Sequence, residues 1–258
     1  MDLGLAGKKA FVSGSTQGIG YAIARALLDE GAEVIINGRD ETTVQSAVRA
    51  LGGAASGIAA DLGDRDAVHK LADELGEVDI LVNNVGLFEV KPFADLTDED
   101  WQRYFDVNVM SGVRLSRRLL PGMLARDSGR VVFISSESGV NVPAEMVHYG
   151  ATKAAMIAVG NGLAKLTRGT SVTVNSILGG PAYSDGVAAA VEQIAQSQGM
   201  PAGTLKATIA AGNQTSLLQR FIEPHEIASL AVYLASPRSS ATNGAALRAD
   251  GGVLTAVL

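Results

Sequence analysis

Short apolar runs alternate with longer amphipathic stretches from one end of the chain to the other. The runs at 10–12, 34–36, 57–60, 80–82, 131–134, 172–174 and 245–248 are short and rich in branched residues, so they read as about seven buried strands. Between them, 19–30, 41–51, 64–75, 98–124, 148–168 and 223–235 carry helical periodicity, and several begin at an acidic or hydroxyl residue. The alternation predicts an α/β fold, a doubly wound parallel sheet of the Rossmann type with helices on both faces, because parallel strands need long crossovers. No linker, repeat or low-complexity tract interrupts it, so residues 1–258 are expected to form one domain. Residues 184–219 alone break the rhythm, being helical, irregular and rich in Ala and Gln. An insertion of that length predicts a helical substrate lid.

Composition narrows the function. A hydrophobic content of 47% leaves ample material for a core, and the absence of cysteine excludes disulfides, thiolate metal sites and a cysteine nucleophile. Three scattered histidines make no metal site. The net charge of −6 offers no broad basic surface to nucleic acid, and the cluster Arg114, Arg117 and Arg118 reads as a solvated helix face. Neither a basic leader nor a run of ~18 apolar residues is visible, so a cytoplasmic protein without a membrane span is expected.

The first strand is followed by Ser13-Gly14-Ser15-Thr16-Gln17-Gly18-Ile19-Gly20, a glycine turn opening the first helix. Glycines there let the backbone approach a pyrophosphate, whose charge sits on the helix's free amides. After the second strand the chain reads Asn37-Gly38-Arg39. Gly38 removes the carboxylate that would repel a 2′-phosphate, and Arg39 is placed to pair with one, so NADP(H) is favoured and NAD(H) is the alternative.

Tyr149 and Lys153 stand four residues apart on one predicted helix. Their side chains then share a face, with Cβ atoms about 6 Å apart. A free phenol ionises near pH ~10, and acid–base work at neutrality needs about 4 kcal/mol of help. One ammonium about 4 Å away supplies a comparable amount at an effective dielectric of ~20. The spacing therefore predicts a phenol whose pKa is lowered by Lys153. A tyrosine and lysine so placed are commonly just a helix face, and it is the accompanying motifs that single this pair out.

Together these stretches resemble the short-chain dehydrogenase/reductase family over essentially the whole chain. The glycine turn matches its cofactor motif, Asp61-Leu62 its adenine-binding pair, and Asn83-Asn84-Val85-Gly86 its Asn-Asn-Ala-Gly motif. Asn108 falls at the family's helix asparagine, Ser136 lies thirteen residues before Tyr149, and Tyr-x-x-x-Lys is intact. The resemblance implies that Tyr149 exchanges a proton with the substrate oxygen and that Ser136 hydrogen-bonds the carbonyl. It further implies that Lys153 holds the nicotinamide ribose and that Asn108 anchors a water leading from Lys153 to solvent. Ser135 and Ser138 compete with Ser136, which only its distance from Tyr149 selects. Gly180, Ala182 and Ser184 occupy the family's stretch beside the nicotinamide, where Gly179 stands in place of the usual proline. Leu87, Phe88, Val140, Val142, Met146 and Tyr183 are expected to wall the pocket, with His148 as wall or surface.

The implied activity is an oxidoreductase interconverting a ketone, whether 3-oxoacyl, cyclic or sugar-derived, with a secondary alcohol, and the implied assembly is a homotetramer. Two other functions stay open. A regulator or scaffold would keep the dinucleotide and lose turnover, and an epimerase or lyase would turn over without net consumption of cofactor.

Overall fold

The computed structural model describes residues 2–257. Seven strands, β1 (Lys9–Val12), β2 (Glu33–Gly38), β3 (Ala55–Ala59), β4 (Ile80–Asn83), β5 (Arg130–Ser136), β6 (Thr173–Gly179) and β7 (Ala246–Ala249), form one sheet in the order β3-β2-β1-β4-β5-β6-β7. Every pairing is parallel. The nine α-helices among the described residues are α1 (Gly18–Asp29), α2 (Glu41–Leu51), α3 (Arg65–Leu75), α4 (Asp98–Tyr104), α5 (Ser111–Ala125), α6 (Val147–Leu166), α7 (Asp185–Ser197), α8 (Ala202–Gly212) and α9 (Pro224–Ala235).

The unbroken apolar strands follow from burial on both faces. Along β1, Ala10 and Val12 face the core under α1, α2 and α9, whereas Phe11 faces the core under α3, α5 and α6. In β4 and β5, Ile80, Val82, Val132 and Ile134 join the first core and Leu81, Val131 and Phe133 the second. Side chains alternate across a pleated strand, so a strand sandwiched between helix layers must be apolar at every position.

Polar residues set where the helices begin. Asp40 accepts the Thr43 amide at the start of α2, Asp64 accepts the Asp66 and Ala67 amides at the start of α3, and Thr97 with Asp100 forms a reciprocal cap on α4. These bonds satisfy amides that have no partner inside their helices.

One helix departs from its predicted form. The stretch expected as a single helix over 98–124 is interrupted by a π-helical turn, Phe105–Met110, between α4 and α5. Asn108 lies within that turn. The 184–219 stretch forms α7 and α8, which share a small separate cluster of Val191, Ala195 and Leu205.

The strand order reverses between β1 and β4, because β1 leads outward to β2 while β4 leads the other way to β5. Open parallel sheets bind ligands in the crevice at the carboxyl ends of such strands.

Candidate functional site

At that crevice lies a cleft of about 610 Å³, bordered by the glycine turn, the ends of β2 and β4, α4, α6 and the start of α7. Polar side chains lock its floor. The Ser13 hydroxyl accepts the amides of Asn84 and Val85 at 2.9 and 3.0 Å, and Asn84 returns its side-chain amide to the Ser13 and Gly14 carbonyls. Asn37 accepts the Gly14 amide and donates to Ile58 and Ala60, tying β1, β2 and β3 together. The sequence singled out neither Ser13 nor Asn37 for this work. Their signal was a short polar residue at the end of an otherwise apolar strand.

The glycine turn is shaped for close approach. Gly14 holds a positive φ of 59°, and a Cβ there would lie 3.0 Å from the Val85 Cα. A Cβ on Gly20 would lie 2.4 Å from Asn84 Nδ2 and 2.5 Å from the Gly14 carbonyl oxygen, so any larger residue would force the turn open. At the β2 end, a Cβ on Gly38 would lie 2.6 Å from Thr16 Cγ2. A side chain at 38 and Thr16 compete for one space, which is a packing reason for the glycine beside the electrostatic one. Arg39 borders the cleft and forms no ion pair among the described residues. A backbone cradle at a helix start, ending at an unpaired guanidinium, fits a phosphorylated dinucleotide.

Of the residues expected at the cofactor, Gly14, Thr16, Gln17, Gly18, Ile19, Gly20, Arg39, Asp61, Leu62, Asn84, Val85, Gly86, Tyr149, Lys153 and Ser184 all border this cleft. Three do not. Ser15 is fully buried, donating to the Val12 carbonyl and accepting the Asn37 amide. Gly180 lies against Asp250, and Ala182 pairs with Ile222 in an isolated bridge. Arg103, Asp106 and Val107 also border the cleft, and no motif in the sequence marked them.

Tyr149 and Lys153 lie in the first two turns of α6 and both face the cleft. The Lys153 ammonium lies 5.6 Å from the centre of the Tyr149 ring and donates to the Ile134 carbonyl at 2.9 Å. Gly86 leaves the space between Lys153 and Asn108 open, since a Cβ there would lie 3.4 Å from Lys153 Nζ and 3.5 Å from Asn108 Oδ1. The Asn108 side chain is itself committed. Its oxygen accepts the Leu87 amide at 2.7 Å, and its nitrogen donates to the Leu87 carbonyl and the Thr152 hydroxyl at 3.0 Å each. The asparagine thereby fastens the π turn to the loop after β4 and to α6.

Ser136 ends β5 and accepts the Ser138 amide at 3.1 Å, and its hydroxyl is near enough to the Tyr149 phenol to pull that group's pKa down. Ser135 is otherwise engaged, donating to the Lys153 carbonyl at 2.8 Å. Tyr149 and Lys153 border the cleft and Ser136 stands beside the phenol, whereas neither Ser136 nor Asn108 is part of the cleft's lining.

The electrostatics correct the expected lowering of the phenol. Burial pushes Tyr149 up to about 12, against the pull of the Ser136 hydroxyl and with a smaller push from the Glu137 carboxylate. Burial likewise brings Lys153 down to about 8. Burial takes part of the hydration from each charged form, and the ammonium, 5.6 Å from the ring centre, does not reverse the phenol's shift. Lys153 stays charged at neutrality and the phenol stays protonated.

His148, expected as wall or surface, is fully buried, its ring 4.2 Å from that of Tyr104, centre to centre. Among the described residues neither of its nitrogens has a hydrogen-bond partner, and burial lowers its pKa. Val142 packs over Gly150, Val140 is exposed, and Leu87 and Phe88 border the cleft.

The family model for short chain dehydrogenases matches residues 8–195. The chain belongs to that family. It is 48% identical to the uncharacterised oxidoreductase YvrD of Bacillus subtilis, over 98% of this chain and 99% of that one. Identity is 33% to the D-beta-hydroxybutyrate dehydrogenase of Cupriavidus necator, over 96% and 98% of the two chains. Among solved structures, the L-sorbose reductase of Gluconobacter frateurii complexed with NADPH and L-sorbose superposes with a TM-score of 0.95 at 30% identity, covering 100% of both chains. This short-chain dehydrogenase is accordingly an oxidoreductase of a family that binds nicotinamide dinucleotides. No helix among the described residues is long and apolar enough to cross a membrane, and none of their acidic and histidine groups forms a metal cluster.

Proposed function

We propose that the protein interconverts a ketone and a secondary alcohol with NADP(H). The observation that carries this reading is that Tyr149 and Lys153 border the cleft that begins at the glycine turn, with Ser136 beside the phenol. When bound, the dinucleotide supplies or accepts the hydride. The chain's own residues do the rest. Ser136 offers a hydroxyl where negative charge develops on the carbonyl oxygen, and Tyr149 gives that oxygen a proton during reduction or takes one during oxidation. Lys153 orients the nicotinamide ribose, while Asn108 fixes the π turn beside it.

Gly38, the unpaired Arg39 and the NADPH complex of the sorbose reductase support NADP(H) over NAD(H). The same likeness makes a sugar-derived ketone the first substrate class to test, with 3-oxoacyl and cyclic ketones following. We read α7 and α8 as a lid over the pocket and expect a homotetramer, whose mass by light scattering would be four times the 26.5 kDa chain.

The test is NADPH oxidation across a panel of ketones by the wild-type protein and Tyr149→Phe. Equal rates would remove Tyr149 from the chemistry, and turnover without net NADPH consumption would favour an epimerase or lyase.

A further inference from the structure

The first turn of α1 is capped by a residue from the far end of the chain. Gln17 stands at the N-cap and makes no capping bond, and no acidic residue lies in the helix's first turn. Instead the Gly18 amide donates to Asp185 Oδ2 at 2.6 Å, across 167 positions of sequence. Gly18 is the first residue of α1, and its amide is one of the donors left free by helix geometry. A carboxylate is stabilised there by the helix dipole, as any anion would be.

Asp185 opens α7, the first helix of the two-helix segment. Its neighbours flank the nucleotide turn, for a Cβ at Gly18 would lie 3.5 Å from that of Ser184, while one at Gly186 would lie 3.8 Å from the Phe88 ring in the loop after β4. Behind this contact, α7 and α8 bury their own small cluster, Val191, Ala195 and Leu205, apart from the two cores that flank the sheet, and Lys206 reaches the Tyr183 ring and, at 3.7 Å, the Glu223 carboxylate. The Lys206–Glu223 pair is solvent-exposed and holds weakly, so the bond at Asp185 is the main polar tie between this segment and the nucleotide turn.

We propose that Asp185 is a latch that holds the lid on the free nucleotide turn and that the dinucleotide's pyrophosphate displaces it. This rests on the dinucleotide reading above. Two anions cannot share the Gly18 amide, so the pyrophosphate takes the donor and Asp185 leaves with the start of α7. Nucleotide arrival is thereby coupled to release of the lid over the substrate pocket, and the latch lowers nucleotide affinity by the free energy of its own bond.

Two measurements on the full chain test this. Calorimetric titration with NADP⁺ should show Asp185→Ala binding about threefold to tenfold tighter than wild type, with Asp185→Asn between them. Adenosine 2′-monophosphate, which reaches Arg39 but has no pyrophosphate, should bind all three proteins alike. Weaker or unchanged NADP⁺ binding in Asp185→Ala would overturn the latch. Without nucleotide, trypsin reports the lid directly, because Lys206 is the single lysine or arginine within 184–219. Cleavage after Lys206 should be several-fold faster in Asp185→Ala, and an unchanged rate would also overturn the latch. Failure of the wild-type protein to bind NADP⁺ or NAD⁺ would instead strike the dinucleotide reading, and the proteolysis result separates the two.

Discussion

The sheet and the two-helix segment beside it are held together by very different means. Each face of the sheet has a continuous core of fully buried side chains, Val34, Ile36 and Val82 on one and Phe11, Leu81 and Phe133 on the other. The α7–α8 segment buries three residues in its own cluster and leaves Ile194, Met200, Ile209, Leu217 and Leu218 exposed. The proposed chemistry sits on the rigid part, with Ser136 at a strand end and Tyr149 and Lys153 on α6. Catalytic geometry needs fixed elements, whereas a segment that admits and covers a substrate has to open at little cost.

The largest effect should come from the rigid side. Tyr149→Phe removes one oxygen from α6, so turnover should fall by about 10²–10⁴-fold while the melting temperature and the trypsin susceptibility of the α7–α8 segment stay near wild type. Retained activity in that variant would detach the chemistry from the sheet.

Matched truncations probe the contrast itself. Leu81→Ala should cost about 2–5 kcal/mol of stability in a denaturant titration. Leu205→Ala, in the small cluster, should leave the main unfolding transition nearly in place while raising KM and quickening cleavage after Lys206. Equal losses of global stability would mean that sheet and segment are one cooperative unit.

Next comes the nucleotide end. Arg39→Ala should weaken NADPH by about 10- to 100-fold, as expected for loss of a charge-assisted contact, and leave NADH nearly unchanged. A parallel fall for both cofactors would remove Arg39 from 2′-phosphate recognition.

The smallest expected change in stability concerns Lys153. Its pKa is about 8 in the folded chain against 10.5 for the free group, so between those values the unfolded chain binds the additional proton. Its contribution to stability therefore rises with pH through that window, and below it the buried ammonium costs about 3 kcal/mol, partly offset by the bond to Ile134. Lys153→Met should be inactive yet about 1–2 kcal/mol more stable at pH 7, with the advantage shrinking toward pH 10. Tyr149 has the opposite sign, since its raised pKa makes stability fall from about pH 10 to 12. Thermal melts at pH 7 and 9.5 measure the gap, and a constant gap would show that Lys153 does not titrate in this window.

The sheet was legible in the sequence because two-sided burial writes each strand as an apolar run, and the glycine turn was legible because tight backbone approach excludes side chains. Depth was not legible. The spacing of Tyr149 and Lys153 places them on one face but carries no information on how deeply that face is buried, so it points to a lowered phenol where burial raises it. Phe105–Met110 reads as ordinary amphipathic helix, and nothing in its residues announces a changed hydrogen-bond pattern. The Asp185 contact joins positions too distant for any local pattern, and Ser13 and Asn37 act through bonds that only the assembled strand ends create.

The π turn at Phe105–Met110 has a consequence for how this chain tolerates insertions and deletions. It takes up one residue more than regular winding would, which resets the angular phase of everything after it by about 100°. Upstream, α4 presents Arg103 to the cleft, whereas downstream, α5 presents Leu115, Leu119 and Met123 to the sheet. A one-residue deletion within 105–110 would leave a smoother helix and a worse protein, because it would turn the leucines of α5 off the sheet and carry Asn108 away from Leu87 and Thr152 in a single stroke.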